Sequence, residues 1–568
     1  MKRYIMAFTV LFSLILLVAC SSNNAVTTTK GDVTTSALTT DGQTTATVTT
    51  AVVTDTPTGL DISDYTVIRP DGAKSAFLKS ASQFKKDLNE YVSENIGIAD
   101  DYIKRGDSED PSQKAILLGE TNREATAAAL ATLASKNLDN AYIIKVSENK
   151  IVICGTDDYT TVKAMKYFMN NFVKSASSNG HIEIEDNFEY ICENAGEGSI
   201  LANGSLVSIE QISKIHGPSS TDPSPTYTYP RILEVQYDEK NKGTLIATAE
   251  GLDKEYYRIF KSVDGGKSWE LITTVREQIG KSFLVANWQP YLYELPCKVG
   301  EMEAGTLLLA GCSRDRLTAS ITRMCIWRSS DCGLTWEEYT IVDEGGNLDI
   351  GGMWEPFLMC DDDGKLVCFY SDESEYNVHS GQKLVFRVSE DGENWGDKKY
   401  VVSATDNALR PGMITVTRLG NGKYFACYEI VGMAGNPIYC KISDSLTDWG
   451  APDDLGKVIE ANGKKLGSSP HCVWTPLGGE NGTLFVTGCF MASGSSQTGT
   501  DLFISTDYGK TWQTIDNPLP YTRTDDHRFA YSPGFYLGAD GTVYYVNDVN
   551  SKISKKADIK LAILKVEE

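Results

Sequence analysis

The chain is poor in basic residues. Of its 568 residues, 53 are lysine or arginine and 76 are aspartate or glutamate, so the formal charge is −23 at pH 7. A protein that binds nucleic acid needs Lys and Arg in excess on some face to neutralise phosphates, and no basic run follows the first few residues. The composition therefore argues against a nucleic-acid partner. It favours an extracellular, neutral substrate over an anionic one.

Spacings typical of metal sites are missing as well. Twelve cysteines lie between positions 154 and 489, none of them in a CxxC pattern or a Cys/His cluster. Most stand in apolar runs such as LVCFY, where a thiol behaves as a small hydrophobic group. We therefore expect no metal ion and no cofactor. Disulfide pairing stays open, with Cys360 and Cys368 or Cys312 and Cys325 as candidate cross-strand pairs.

The N-terminus holds an apolar run that is too short for a comfortable transmembrane helix. Basic residues precede this run, and the sequence LVAC ends it with a small residue directly before Cys20. The pattern resembles a lipobox, in which the cysteine thiol receives a lipid and becomes the mature N-terminus. We expect residues 1–20 to be a lipoprotein signal peptide and the protein to be anchored to a bacterial membrane, facing outside. An uncut membrane helix is the alternative.

Two different regions follow. Residues 21–59 are rich in Thr and lack a periodic apolar face, so we expect a disordered linker. Residues 60–195 alternate strand and helix patterns, with helices predicted at 75–92, 123–134 and 159–173 and a hairpin at 140–155. This order predicts a small α/β domain, and it resembles the non-catalytic N-terminal domain of hexosaminidases and α-glucuronidases. Because this region has no glycine-rich phosphate loop, we interpret it as a packing or spacing module.

From about residue 199 onward the helical pattern disappears and one motif recurs. It reads SVDGGKSW, SSDCGLTW, SEDGENW, SDSLTDW and STDYGKTW, beginning at residues 262, 329, 389, 443 and 505. The interval matches a four-stranded sheet with its loops, and such a period indicates radial repetition. In each motif Asp is expected to accept backbone N–H groups across a turn, Gly to adopt the left-handed conformation and Trp to pack between sheets. We therefore interpret these Asp residues as structural.

These motifs resemble the Asp-boxes of sialidase-type six-bladed β-propellers. Five boxes mark five blades. The sixth would combine AYSPGFYLGADGTVYYVND, the C-terminal KLAILKVEE and an early strand near 206–215. The expected fold class is mainly β, with a six-bladed propeller over residues 199–568 that follows the small α/β domain.

Within the propeller, residues 351–429 carry the strongest indication of chemistry. Glu355 stands at the mouth of one apolar strand, and Glu429 closes another, so two neighbouring units each deliver a carboxylate. A pair of carboxylates is what glycoside cleavage needs. Ordinary surface acids are the alternative, although a solvated acid is not required at the end of an apolar strand. Stacking faces and hydrogen-bonding groups suited to a sugar surround the pair: Trp354, Tyr370, Asp372, Gln382, Arg410 and Tyr428.

A more particular resemblance covers most of residues 229–547. The segments YPRI, WEPFL, FYSDE, GQKL, RPGM and SSPHCVWTPLGGENGT are similar to those of the exo-α-1,5-L-arabinanases of glycoside hydrolase family 93. This resemblance implies a retaining exo-glycosidase that works from the non-reducing end of arabinan, releases arabinobiose and uses Glu355 and Glu429 as its catalytic residues. Glu355 is favoured as the nucleophile and Glu429 as the acid/base, although the sequence does not distinguish the two roles.

Other functions stay open because of Tyr531 and three arginines. Tyr531 occupies the place of the nucleophilic tyrosine of sialidases, and in an arabinanase it would be a supporting catalytic hydroxyl. Arg231, Arg410 and Arg528 could converge on a carboxylate, as the sialidase arginines do. A sialidase, a different neutral or uronic exo-glycosidase, and a non-catalytic glycan-binding propeller are therefore the alternatives.

The remaining candidates would contact an oligosaccharide substrate. Trp288 and Trp354 could stack on a sugar ring, while Asp372, Gln382 and His471 could form hydrogen bonds with hydroxyl groups. His471 replaces the tyrosine that the family pattern has after Ser-Pro, and YNVHSG lengthens the approach to Gln382. These two departures affect the sugar specificity expected near the non-reducing end.

We expect the protein to be a monomer.

Overall fold

The computed structural model describes residues 59–567, with gaps at 93, 176–179, 218–225, 252–254, 277–284, 316–320, 347–350, 376–380, 493–497, 523–530 and 551–556. Cys20, the predicted signal peptide and all but the last residue of the predicted linker lie outside the described residues, as does Arg528. No helix in the described part of the chain is long and apolar enough to cross a membrane.

The first part of the described chain is an α/β layer. Its elements are β1 (Leu60–Asp61), β2 (Thr66–Arg69), α1 (Ser75–Leu88), β3 (Gly97–Asp100), β4 (Ala115–Leu118), α2 (Glu124–Ser135), β5 (Tyr142–Ser147), β6 (Lys150–Gly155), α3 (Asp158–Phe168) continued by a π-helical turn (Met169–Val173), β7 (His181–Ile182) and β8 (Glu189–Cys192). Six strands form one sheet in the order β3-β2-β4-β6-β5-β8. Helix α1 buries Phe77, Ala81, Phe84 and Leu88, which recur at three- and four-residue steps and therefore share one face. The three predicted helices and the predicted hairpin are confirmed.

The second part consists of short antiparallel strands. Strands β9 (Glu197–Ile200) and β10 (Leu206–His216) lead into it. The first four blades are β11 (Tyr227–Glu234), β12 (Leu245–Gly251), β13 (Tyr257–Ser262) and β14 (Glu270–Val275); β15 (Val285–Glu294), β16 (Leu307–Asp315), β17 (Thr322–Ser329) and β18 (Glu337–Gly345); β19 (Met353–Cys360), β20 (Leu366–Asp372), β21 (Lys383–Ser389) and β22 (Lys399–Val402); β23 (Arg410–Arg418), β24 (Tyr424–Val431), β25 (Ile438–Ser443) and β26 (Lys457–Val458).

Two further blades complete the ring. A small sheet of β27 (Glu460–Ala461), β28 (Lys464–Gly467) and β31 (Phe490–Met491) accompanies the fifth blade, which is made of β29 (His471–Thr475), β30 (Thr483–Thr487), β32 (Thr498–Ser505) and β33 (Gln513–Thr522). The sixth blade is made of β34 (Gly534–Leu537), β35 (Val543–Asn550), β36 (Ala557–Glu567) and β10, with β9 added at its outer edge.

The propeller closes by joining its two ends. Strand β36 pairs with β10 from Leu206 opposite Glu567 to His216 opposite Ile559, so the last blade takes its outer strand from the beginning of the propeller. The innermost strand of each blade contacts that of the next, and β34 contacts β11. The predicted six-bladed propeller, including its composite sixth blade, is confirmed.

The repeated motif forms the turn between the third and fourth strands of a blade. In the first blade an oxygen of Asp264 accepts the backbone N–H groups of Lys267 and Ser268, each at 3.0 Å. Gly266 has a φ of 82°, and the Trp269 indole donates a hydrogen bond to its carbonyl at 3.1 Å. Because this turn lies at the outer strands, its Asp is structural, as predicted.

The α/β layer continues into the propeller without a flexible break in the described residues. Strand β9 pairs with β10, and the Tyr159 hydroxyl lies 2.8 Å from the Ser208 hydroxyl. The Lys163 amine forms an ion pair with Glu567 at 3.0 Å. The domain boundary near residues 195–199 stays a prediction, as does the role of the α/β layer.

Candidate active site

Each innermost strand has, within its first half or just before its start, a non-glycine residue with left-handed backbone. These six axial bulge residues, with their φ angles, are Tyr229 (52°), Gln289 (55°), Glu355 (60°), Met413 (59°), Ser469 (50°) and Ser532 (65°). In five blades the next residue is proline, before which this conformation is disfavoured, and in four blades the strand register shifts at the same place. A bulge of this kind re-aims a side chain, and such strain is concentrated at functional sites.

The axial bulge residues meet at the centre of the propeller. One small central cavity is lined from all six innermost strands, by Tyr229, Arg231, Gln289, Pro290, Tyr291, Glu355, Pro356, Phe357, Met413, Ile414, Thr415, Pro470 and Ser532. A cavity that touches every blade can lie only on the propeller axis. Glu355 is therefore an axial carboxylate, as the sequence predicted.

Two neighbouring side chains hold the side chain of Glu355. The Ser371 hydroxyl, from β20 of the same blade, donates to one carboxylate oxygen at 2.5 Å. The amide nitrogen of Gln289 in the preceding blade approaches the other oxygen at 3.3 Å, while the Glu355 N–H donates to the Gln289 carbonyl oxygen at 3.1 Å. The Ser371 hydroxyl also accepts the Met413 N–H at 3.2 Å. Glu355 is thus tied to the blades on both sides.

Glu429 reaches the same centre from the second strand of the fourth blade. One of its carboxylate oxygens accepts the Ser468 hydroxyl at 2.6 Å and the Ser469 N–H at 3.0 Å. Glu429 lies opposite Gly412 in the ladder, and a Cβ on that glycine would stand 2.4 Å from Nε2 of Gln382 and 3.5 Å from the Ser371 hydroxyl. The backbone beside Glu429 therefore lies next to the group that holds Glu355, and a side chain at Gly412 would displace Gln382.

The two carboxyl groups influence each other's protonation. Burial raises the pKa of Glu355 to about 7; the hydrogen bond from Ser371 opposes this shift, and the charge of Glu429 adds to it. Burial also raises the pKa of Glu429, against the hydrogen bonds from Ser468 and Ser469. The charge of Arg410 acts on both carboxyl groups and lowers the pKa of each. Near neutral pH the pair can therefore hold one proton, which is what acid/base exchange requires.

Two tryptophan rings and an arginine that is hydrogen-bonded to two side chains lie beside Glu355. The rings of Trp288 and Trp354 lie with centroids 5.9 Å apart at 52°. Arg410 donates from Nη2 to Glu373 at 2.5 Å and to the Gln382 carbonyl oxygen at 2.9 Å. The Trp354 indole N–H donates to the other oxygen of Glu373 at 3.2 Å.

Tyr531 completes the group of residues around the two carboxylates. Its ring lies edge-on to Tyr229 with centroids 5.2 Å apart. Burial, followed by the charges of Glu429 and Glu355, raises the pKa of its hydroxyl, so that Tyr531 stays a neutral phenol. Tyr531 is therefore placed to donate or accept a hydrogen bond near both acids.

Comparison with known proteins agrees with this geometry. No protein-family model and no curated protein matched the chain. Among solved structures, a Penicillium chrysogenum α-L-arabinanase complexed with arabinobiose is 30% identical with a TM-score of 0.53, over 63% of this chain and 98% of that one. The chain belongs to glycoside hydrolase family 93. A GH93 α-L-arabinofuranosidase of Fusarium graminearum with arabinobiose is 27% identical with a TM-score of 0.53, over 62% of this chain and 97% of that one. An α-L-arabinofuranosidase from the same organism with an iminosugar inhibitor is 28% identical with a TM-score of 0.52, over 62% and 97%.

The predicted family is thus confirmed, and the chain is a glycoside hydrolase. In this family 93 propeller, the two predicted acids, Glu355 and Glu429, lie together with five other predicted site residues: Tyr531, Trp288, Trp354, Gln382 and Arg410. Arg231 also lines the central cavity, and the His471 ring lies edge-on to Phe357 of the same lining. Asp372 lies elsewhere, and Arg528 is outside the described residues.

Arg231 and His471 are packed inside the family 93 propeller. Arg231 donates to the carbonyl oxygens of Pro230 at 2.7 Å and Ser532 at 2.8 Å, and so holds the first and last blades together. Burial holds the pKa of His471 well below its usual range, and the Phe535 N–H donates to its Nδ1 at 3.3 Å. The bonds that these two side chains make are structural, so their substrate contact stays a prediction.

Asp372 faces away from Ser371, because successive side chains alternate across a strand. It is buried, accepts the Lys398 amine at 2.7 Å and accepts the Ser374 N–H at 2.8 Å. It is absent from the described lining of the central cavity. Its hydrogen bond to a sugar therefore stays a prediction.

The site also depends on several groups that were not predicted from the sequence: Tyr229, Gln289, Ser371, Glu373, Ser468 and Ser469. A usable indication was present, because Tyr-Pro, Gln-Pro, Glu-Pro and two Ser-Pro pairs recur once per blade. Among described residues, no cluster of three or more His, Cys, Asp or Glu is placed to hold a metal ion.

Proposed function

We propose that this chain is a retaining exo-α-1,5-L-arabinanase that releases arabinobiose from the non-reducing end of linear arabinan. The observation that carries the proposal is the pair Glu355 and Glu429, two carboxyl groups of raised pKa from adjacent blades, on a family 93 propeller. The presence of arabinobiose in two related structures supports the choice of substrate.

In this mechanism one carboxylate attacks the anomeric carbon while the other carboxyl group protonates the leaving oxygen. The second group then removes a proton from water, which hydrolyses the glycosyl ester and retains the anomeric configuration. The family resemblance favoured Glu355 as the nucleophile. Its pKa of about 7, raised in part by the charge of Glu429, instead supports Glu355 as the proton carrier and Glu429 as the group that ionises first. We propose this second assignment.

The surrounding groups would bind the sugar. Trp288 and Trp354 offer flat faces for a furanose ring, and Gln382 and Arg410 offer donors for hydroxyl groups. Tyr531 would hydrogen-bond to the carboxylate nucleophile or to the ring oxygen. These roles rest on position around the two acids.

A sialidase is less well supported because it needs free guanidinium groups for a carboxylate. Arg231 is engaged with Pro230 and Ser532, and Arg410 is engaged with Glu373 and Gln382. These contacts favour a neutral sugar over sialic acid.

We also propose that the enzyme is lipid-anchored through Cys20 on the outer side of a bacterial membrane. The apolar run that ends in LVAC supports this. A Cys20→Ala variant should not receive the lipid and should not be anchored to the membrane. Partitioning of the cell fraction into detergent would measure this loss. Unchanged partitioning would contradict the proposal.

Product analysis tests the activity. The enzyme should release arabinobiose from debranched arabinan, leave sialyllactose and pectic oligosaccharides intact, and give a first product with retained anomeric configuration by proton NMR. Release of sialic acid would support a sialidase, and inversion would rule out the retaining mechanism. Glycan binding without turnover would support the non-catalytic alternative.

A further inference from the structure

Glu373 is a buried acid beside the predicted catalytic pair. It directly follows β20, and only 9% of the residue is exposed. Its two carboxylate oxygens accept from two different side chains, Arg410 at 2.5 Å and Trp354 at 3.2 Å. A buried carboxylate whose two oxygens each accept a hydrogen bond fixes the positions of both donors.

Arg410 is the partner that reaches solvent. Its side chain is 45% exposed, whereas that of Glu373 is 12% exposed. Arg410 also lies close enough to Glu355 and Glu429 to lower the pKa of each. It is therefore an accessible cation at the catalytic carboxyl groups, and its second hydrogen bond goes to Gln382.

A guanidinium in this place would normally attract a carboxylate ligand, because its planar donors match a carboxylate in bidentate fashion. Glu373 already supplies a carboxylate from within the protein, one oxygen of which accepts from Nη2 of Arg410. The three acids then outnumber the one arginine of this group, so the local charge is negative and an anionic sugar is repelled.

We propose that Glu373 is a positioning and specificity-determining residue: by neutralising Arg410 and holding it beside Trp354, it makes the site select neutral sugars over carboxylated ones. This inference rests on the proposed glycosidase function for its substrate class. The hydrogen bonds of Arg410, Trp354 and Glu373 carry it.

The position of Gln382 makes the arrangement rigid. Its carbonyl oxygen accepts from Arg410, and its amide donates to the Pro411 carbonyl at 2.9 Å. Arg410 is consequently held by a side chain on each side, and loss of Glu373 would free the donors that faced it. The freed donors are the ones that a uronate carboxylate would engage.

The test compares Glu373→Gln with Glu375→Gln in the full protein. Glu375 is a matched control because it lies two residues further along, bonded to Lys383 and Tyr400 and outside the Arg410 contacts. Calorimetric titration with D-galacturonate and with neutral D-galactose gives the ratio of their affinities. Glu373→Gln should raise this ratio in favour of galacturonate by about tenfold, and 1 M salt should reduce the gain because it screens the attraction.

A kinetic measurement accompanies the titration. On arabinan, Glu373→Gln should raise KM by about tenfold and leave kcat within about threefold, since a positioning residue acts on binding more than on the chemical step. Glu373→Asp, which keeps the charge, should recover part of the wild-type sugar preference. Far-ultraviolet circular dichroism checks that each variant is folded.

The two proposals fail separately. If the wild-type enzyme leaves arabinan intact, the proposed substrate is wrong, while the galacturonate-to-galactose ratio still tests Glu373 by binding alone. An equal ratio in Glu373→Gln and Glu375→Gln would overturn the inference. If Glu373→Gln does not fold, Glu373→Asn, which also removes the charge, replaces it: a ratio shifted towards galacturonate supports the inference, and the wild-type ratio overturns it.

Discussion

The outer turns and the inner bulges of this propeller both recur from blade to blade, but they recur in different ways. The Asp-box turns keep residue types, because Asp331, Asp391 and Asp507 accept backbone N–H groups as Asp264 does. The axial bulge residues keep a backbone conformation while their side chains differ from blade to blade.

This difference reflects what each position must do. An Asp-box turn needs the same hydrogen bonds in every blade, so the same side chain serves each time. The axial bulges bring five of their six residues to one cavity, where identical groups would repel one another or leave the site without distinct roles. The repeated backbone therefore provides the geometry, and the departures at Glu355 and Gln289 provide the chemistry.

The largest expected effect is on activity, which should be lost when an inner acid is changed and kept when an outer turn is changed. Glu429→Gln should lower kcat by about 1,000-fold or more, because the pair loses either its nucleophile or its proton carrier. Asp264→Asn, in an outer turn, should leave kcat within about twofold. Initial rates on debranched arabinan measure both, and calorimetry should show that Glu429→Gln still binds arabino-oligosaccharide. A Glu429→Gln enzyme of normal rate would contradict the proposed site.

The second prediction concerns stability and its dependence on pH. The pKa of Glu355 is raised from 4.5 to about 7, so the folded state holds a proton that the unfolded chain releases between these values. The free energy of unfolding of the wild type should therefore fall across this window, relative to Glu355→Gln, by about 3 kcal/mol.

Denaturant unfolding at pH 4.5, 6 and 8 measures this difference. The gain in Glu355→Gln should be largest at pH 8 and shrink towards pH 4.5, where both side chains are neutral. Asp264→Asn should show no such trend with pH across this range. A constant difference at all three pH values would mean that the carboxyl group is not destabilised by burial.

An outer turn should show the opposite pattern, with stability lost and activity kept. Asp507 accepts the backbone N–H groups of Lys510 and Thr511 at 3.0 and 2.9 Å and the Thr511 hydroxyl at 2.6 Å. Asp507→Ala should lower the free energy of unfolding by about 1 kcal/mol through loss of these bonds. Thermal unfolding and the arabinan rate measure the two effects, and a loss of rate without a loss of stability would contradict the structural role.

The same contrast explains what the sequence could reveal. The Asp-boxes were readable because Ser, Asp, Gly and Trp recur in order, and the composite sixth blade followed from their number. Glu355 and Glu429 were readable because each interrupts an apolar strand. Ser371 and Ser468 were not, since a serine looks like any other in the sequence and becomes a carboxylate donor only when folding brings it to Glu355 from the neighbouring strand or to Glu429 from the neighbouring blade.

Asp372 shows the converse difficulty. It stands one residue from Ser371 and two from Tyr370, inside a segment that resembles the family, so sequence position alone places it in the site. Strand alternation sends it to the opposite face, where it binds Lys398. Side-chain direction depends on register, and register is set by tertiary pairing with β19 and β21.

The smallest expected effect decides which acid carries the proton. The Ser371 hydrogen bond lowers the pKa of Glu355, and the Ser468 hydrogen bond lowers that of Glu429. Ser371→Ala should therefore raise the pKa of Glu355 and move one limb of the kcat/KM profile to higher pH by about 0.5 to 1 unit. If Glu355 must be protonated, the basic limb moves; if it must be ionised as the nucleophile, the acidic limb moves.

We expect the basic limb to move in Ser371→Ala and the acidic limb to move in Ser468→Ala, because Glu429 would be the group that ionises first. Rates from pH 4 to 9 measure both profiles, with Ser505→Ala in an outer turn as a control that should move neither limb. If instead the acidic limb moves in Ser371→Ala and the basic limb moves in Ser468→Ala, Glu355 is the nucleophile. An equal shift of both limbs in each variant would instead mean that the pair titrates as one unit and that neither acid has a separate role in the free enzyme.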